Sequence, residues 1–317
     1  MAEAYNTLGG LVQFNDKGTA DLGITDLLDD APLLQVLAAQ TASNGTVHKY
    51  LKQTTASSGA FRAANAGLTK TPSQDTLITD TLAILDASFH SDIALADAYK
   101  GGRDAWMEME LRRTMRQVMA SVEKQVIYGT AEDASGFAGL SDDTQLDAYN
   151  DTMVVDASGS NASTQTSVFL LRAGLSDVCM VVGNEGNIVV QDEPSIVPWV
   201  PSASSIIAYP SLYVSVCGYM GFQIGGAYSA ARICNVECND LTSTSAFTDD
   251  TIYAALSLFP ASRQPNIIVM NRNALRLLRQ SRTSVNATGA PAPRPTEVEG
   301  IPIIVTDQID STEDVES

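Results

Sequence analysis

The sequence predicts an α+β protein in which several elements reach beyond a compact body, and three observations carry that expectation. A long amphipathic stripe runs from Gly102 to a break at Gly129, a polar hairpin-like stretch precedes it, and short β-branched runs cluster after it. With 317 residues and 44% hydrophobic side chains, the chain has enough apolar material for a real core.

The first fifty residues read as an arm. Leu27, Leu28, Leu33, Leu34 and Leu37 give Thr25 to Gln40 helical spacing, interrupted near Pro32. Asp26, Asp29 and Asp30 make this segment acidic, so a basic patch on another subunit is one surface it fits. From Thr46 to about Phe89 the chain turns polar and rich in Ser and Thr. The segments Val47 to Lys52 and Thr76 to Leu85, joined through Gly59, Gly67 and Pro72, predict a long hairpin with little core of its own. Lys49, Lys52, Arg62 and Lys70 concentrate positive charge there, which fits either a solvated loop or an intersubunit contact.

A short helix, Asp92 to Tyr99, capped by Ser91 or Asp92, leads through Gly101-Gly102 into the long one. Met107, Leu111, Met115, Val118, Met119, Val122 and Val126 fall at steps of three and four, which places them on one face. Glu108, Arg112, Arg113, Arg116, Glu123 and Lys124 take the other positions. About 25 residues at roughly 1.5 Å each make a rod of about 38 Å. It fits either an ordinary core helix or a spine crossing a flat subunit. After a polar region ending near Thr166, the runs 167–172, 178–182, 187–190, 206–209, 212–220 and 231–236 predict a mostly antiparallel subdomain of about seventy residues. The last part returns to α/β, with a helix from Asp250 to Phe259, a strand from Asn266 to Met270, a helix from Asn271 to Ser281 with Asn271 as N-cap, and a strand from Ile301 to Thr306.

Nineteen basic against thirty-seven acidic residues leave a net charge of -18, which argues against a dedicated nucleic-acid surface because such binding neutralises phosphates. No charged leader precedes an apolar h-region and no apolar run nears the roughly 20 residues of a membrane span, so the expectation is a soluble chain with no membrane partner. Cys179, Cys217, Cys234 and Cys238 lie in apolar, strand-like surroundings and read as buried free thiols. His48 and His90 have no cysteine or carboxylate partner at ligand spacing. Nucleophile elbow, zinc-protease, P-loop and dinucleotide motifs are all missing from the sequence, and pairs such as Asp142-Asp143 and Asp249-Asp250 read as capping or solvated residues. No catalytic, cofactor-binding or metal residue is therefore expected. Arm, hairpin and long helix would struggle to bury their apolar faces in one globule, and they make sense if neighbouring copies complete them.

Four segments, in order, carry a resemblance. They are Ile127-Tyr128-Gly129 followed by Phe137-Ala138-Gly139-Leu140; Thr166 to Gly174; Ile267 to Asn271 with Leu275 and Leu278; and Gly300-Ile301-Pro302-Ile303 through Asp307-Gln308-Ile309 and Glu313. Together they resemble the major capsid proteins of tailed bacteriophages with the HK97-like fold, particularly the group that includes the coat protein of phage epsilon15. Ala173 stands where that family often has an aromatic residue, and Gly183 to Gly186 matches no family pattern. No cross-linking lysine and asparagine pair is carried over.

The resemblance implies an N-arm at 1–45, an extended E-loop at 46–91, a P-domain at 92–165 and 240–317 with its spine helix at about 103–127, and an A-domain at 166–239. It implies a shell subunit, not an enzyme, that makes hexamers and pentamers of an icosahedral particle around double-stranded DNA, without sequence-specific binding. Portal and scaffolding proteins are expected partners, the latter as a separate protein because no scaffold-like helical extension precedes the arm, and there is room for a decoration protein. Location in the virion capsid, after assembly in the bacterial cytoplasm, follows. The residues expected at intersubunit contacts are Lys49, Lys52, Phe61, Arg62 and Lys70 on the hairpin, Leu33 and Leu34 on the arm, and Arg112 and Arg116 on the spine. Two alternatives stay open: an encapsulin-type compartment shell, and an enzyme with a diffuse carboxylate site.

Overall fold

The computed structural model describes residues 13–14, 27–55, 57–67, 72–191, 193–200, 208–238, 247–286 and 290–316. The chain runs β1 (Gln13–Phe14), α1 (Pro32–Val36), β2 (Ala38–Thr41), β3 (Val47–Thr55), β4 (Gln74–Thr81), β5 (Ala83–Asp86), β6 (Phe89–Asp92), α2 (Ile93–Ala98) and α3 (Arg103–Tyr128). Strands β7 (Val154–Asp156), β8 (Gln165–Leu171), β9 (Val178–Val182), β10 (Asn187–Val190), β11 (Ser195–Trp199), β12 (Tyr209–Val214), β13 (Val216–Ile224) and β14 (Ala230–Glu237) follow. The last part holds α4 (Asp249–Ser257), β15 (Ile267–Met270), α5 (Arg272–Val285), β16 (Glu297–Val298) and β17 (Ile301–Val305).

The long helix α3 has 26 residues, about 39 Å of rod. Met107, Leu111, Met115, Met119, Val122 and Val126 are buried along it, as the stripe predicts, while Val118 of the stripe is half-buried against the core and Ile127, outside the stripe, is buried as well. The helix stops at Gly129, whose φ of +57 ends the helical path and whose α-carbon lies against Asp142 and Gly139. A Cβ there would overlap the Asp142 carboxylate and the Gly139 amide, so glycine is required by space as well as by backbone angle.

Two sheets organise the body, with one main apolar core between them and the helices. One has the order β1-β10-β13-β9-β2, with β5 also on β13; the other has the order β16-β17-β15-β8-β14-β7. The segment 166–239 is thus divided between these two sheets and a third. Its first and last strands, β8 and β14, pair with each other and join the C-terminal strands through β15, while β9, β10 and β13 form the other sheet with arm and hairpin strands. A third sheet, β11-β12-β6, continues from the body, and β3-β4 stand as a two-stranded ribbon.

Two local expectations are corrected. The expected helix over 25–40 is not found in its described part, 27–40: Pro32 opens a five-residue helix, Leu37 turns extended (φ -61, ψ 138), and Ala38–Thr41 pairs in parallel with β9. The run 212–220 is not one strand, because Val214 is the last residue on β6 and Val216 the first on β10, so the chain changes sheet at Ser215.

Candidate intersubunit surface

The hairpin has two unlike faces because successive strand residues point to opposite sides. Cross-strand pairs His48 with Asp80, Tyr50 with Ile78 and Lys52 with Thr76 lie on the inner face. His48 is buried and its Nε2 sits 2.7 Å from Gln223 Oε1; Tyr50 stacks on His48 at 5.6 Å between ring centroids. Burial pushes the Tyr50 phenol well up, and the neighbouring Asp80 charge adds to it. Lys52 Nζ reaches Asp143 at 2.6 Å. This face is satisfied by its own chain.

The outer face is largely open, although Gln53, which shares its parity, bridges to Gly226 of the body. Leu51 and Leu77 are direct cross-strand partners, and they are 64% and 60% exposed. Lys49 lies beside them, exposed, opposite Thr79. At the tip Phe61 is fully exposed, and Arg62 Nη1 donates to the carbonyl of Ala66 at 3.2 Å. A two-stranded ribbon with one apolar pair facing water is marginal alone and gains from a cover.

The residues expected at contacts therefore separate. Lys49, Phe61 and Arg62 are presented outward, whereas Lys52 is spent on Asp143 inside its own chain. Lys70 lies outside the described residues. Leu33 and Leu34 are fully buried in the chain's own core, so their placement at an intersubunit contact is corrected: α3 and the C-terminal strand cover them. Arg112 pairs with Glu108 at 3.0 Å, and Arg116 pairs with Asp30 at 2.6 Å and Asp29 at 3.7 Å. The acidic arm thus meets basic charge on its own long helix.

Two buried polar clusters escaped the sequence reading. Glu123, placed there on the polar arc of the helix, is completely buried. Its carboxylate accepts from the backbone N–H of Leu33 at 2.9 Å and Leu34 at 3.4 Å and from the Thr306 hydroxyl. The other cluster fastens the C-terminal tail. Arg232, 3% exposed, donates to Ser167 Oγ (3.1 Å), to the carbonyls of Leu146 (3.2 Å) and Asp147 (3.4 Å) and to Glu316 (2.7 Å), with Glu313 at 3.8 Å. Glu313 also accepts from Tyr128 and Ser167, each at 2.6 Å. Burial raises the Glu313 carboxyl, and the bonds from Ser167 and Tyr128 and the Arg232 charge oppose it. An arginine inside the apolar run Ala230-Ala231-Arg232-Ile233-Cys234 was the available signal for this cluster.

Among the described residues, no group of three or more His, Cys, Asp or Glu side chains is placed to hold a metal ion, and no helix is long and apolar enough to cross a membrane. The four cysteines are free thiols. Burial pushes Cys179 and Cys234 up to about 12 and Cys238 up to about 11. His90 stacks on Trp199 with centroids 3.6 Å apart.

None of the curated proteins matches this chain in sequence. Among solved structures, the capsid chain of bacteriophage epsilon15 is similar over 100% of this chain and 99% of its own, with a TM-score of 0.64 and 19% identity. The bacteriophage JBD30 capsid is similar over 89% of this chain and 92% of its own, with a TM-score of 0.54 and 10% identity. At these identities the likeness is one of fold, and it establishes the α+β, HK97-like capsid architecture. The sequence profile of the family described as major capsid protein GP7 matches residues 15–316, nearly the whole chain. This chain, with its arm, ribbon, long helix and two-sheet body, belongs to the major capsid protein GP7 family.

Proposed function

We propose that this major capsid protein builds the icosahedral shell that encloses the double-stranded DNA genome of a tailed bacteriophage, as hexamers and pentamers of one chain. The observation that carries the reading is a ribbon whose inner face its own chain satisfies and whose outer face, Lys49, Leu51 and Leu77 with Phe61 at the tip, its own chain leaves open. A neighbouring copy is the natural cover: the chain carries a net charge of -18, so the outward Lys49 and Arg62 find acidic surface on any second copy. The chain acts by assembly and has no catalytic role.

In this reading residues 1–45 are the N-arm, 46–91 the E-loop, and 92–165 with 240–317 the P-domain. The A-domain lies within 166–239; since β8 and β14 share a sheet with β15, the part between them forms its body. The acidic balance suits an inner wall that does not grip packaged DNA. Portal and scaffolding proteins, and a decoration protein on the outer surface, are the partners such a shell takes, with assembly in the bacterial cytoplasm.

The test is a combined Lys49→Glu, Phe61→Ser and Arg62→Glu variant followed by electron microscopy and sedimentation. Folded subunits that no longer form closed particles are expected; normal shells from this variant would overturn the ribbon's role.

A further inference from the structure

Glu123 joins three separate parts of the chain. It sits in the C-terminal third of α3, its carboxylate takes the first N–H groups of α1 in the arm, and it takes the hydroxyl of Thr306 at the end of β17. It is fully buried among Leu33, Leu34, Met119, Val122 and Ile127, all core residues. A carboxylate so placed is costly when ionised unless a cation faces it.

The charges on every element around it are engaged elsewhere. On α3, Arg116 pairs with Asp29 and Asp30 of the arm, and Lys124 pairs with Glu132 and Asp310. Beyond β17, Asp307 pairs with Arg272. Among the described residues no cation lies within ion-pairing distance of Glu123.

We propose that Glu123 is a proton-gated clamp on the arm: its neutral carboxyl holds residues 31–37 against the long helix and Thr306, and its ionisation loosens that dock. Burial pushes the group up to about 7, against the opposing pull of the bonds from Thr306, Leu34 and Leu33. Because the docked value lies above the free carboxyl's 4.5, the docked state holds the extra proton between the two. Docking is therefore at full strength below about 4.5, weakens as the pH rises through this window, and is weakest above about 7. The arm continues directly into β2 and then the ribbon, so a loosened arm changes how the ribbon is held. His48, at the ribbon's base, bonds Gln223 and lies beyond β2; it does not touch Glu123.

The experiment is hydrogen exchange of the full chain read by mass spectrometry from pH 5 to 8.5, corrected for intrinsic rate, on peptides covering 31–37. In the wild type the opening constant of this segment is expected to rise with pH, by up to tenfold per unit inside the window, while β8 peptides stay level. Glu123→Gln keeps the acceptor and cannot ionise; its 31–37 segment should be protected equally at all pH values. Thr306→Val removes a bond that favours ionisation and should move the midpoint upward. A flat wild-type profile, or a slope unchanged in Glu123→Gln, would overturn the proposal; should that variant not fold, an unshifted midpoint in Thr306→Val would do so.

Discussion

Replacing Arg232 with Met tests the fastening of the C-terminal tail. Methionine keeps much of the arginine's apolar volume in a site that is 3% exposed, so the perturbation is mainly the loss of charge and five donors. Three consequences follow from the geometry. The carbonyls of Leu146 and Asp147 lose a donor. Glu316, whose side chain is 35% exposed, can turn to water. Glu313, 11% exposed, cannot, and keeps only Ser167 and Tyr128 against its charge. Breaking a buried pair by removing one partner costs about 3–5 kcal/mol. With Glu316 re-solvated and Glu313 still holding two hydroxyl donors, the lower end, about 3 kcal/mol, is expected. Urea unfolding of the unassembled subunit at pH 7.5 measures it. Adding Glu313→Gln should return part of the loss, with a coupling of about 1–3 kcal/mol. The penalty should also shrink in acid, because a protonated Glu313 no longer needs the arginine. A loss under about 1 kcal/mol, or strictly additive single variants, would refute the ion-centred account of this cluster.

Leu34→Ala removes a fully buried arm side chain and should cost about 2–5 kcal/mol in the isolated subunit; a stability equal to wild type, seen by urea unfolding, would return Leu34 to an intersubunit role. Gly129→Ala places a Cβ on Asp142 and Gly139 at φ +57 and should destabilise by more than about 2 kcal/mol, read as a lowered unfolding midpoint. Native protein treated with a maleimide at pH 8 should be modified slowly at Cys179, Cys234 and Cys238, whose thiols are held neutral by burial, and faster at Cys217, which is half-buried; mass mapping after digestion decides it. Lys52→Met should loosen the ribbon's base, seen as faster exchange in 47–55, with particles still forming.

The parts of the fold that show in the sequence are those whose cause is local. The apolar stripe from Met107 to Val126 needs no distant partner to be recognised, and α3 accordingly starts and stops within a residue of its expected bounds. Asn271 caps α5 as its residue type predicts, its side chain accepting from the N–H of Ala274 at 2.8 Å. Long-range arrangements stayed hidden. Glu123 lies on the polar arc by spacing, and only the arm ninety residues earlier makes it a core residue. Leu33 and Leu34 look like a free amphipathic face until α3 and β17 are in place. The sheet change at Ser215 is equally silent, because the residues on either side are ordinary strand formers whose partners come from β6 and β10. On the ribbon, charge drew attention to Lys52, but the two-residue period that turns Lys52 inward also turns Lys49, Leu51 and Leu77 outward.

The central claim, that copies of this chain close into a shell, is tested most directly by cryo-electron microscopy of the purified protein, produced alone and together with a scaffolding protein from the same genome. Closed icosahedral particles whose subunits show the ribbon's Leu51 and Leu77 face covered by an adjacent copy are the predicted result. A uniform small oligomer under both conditions, with that face still open to solvent, would contradict it.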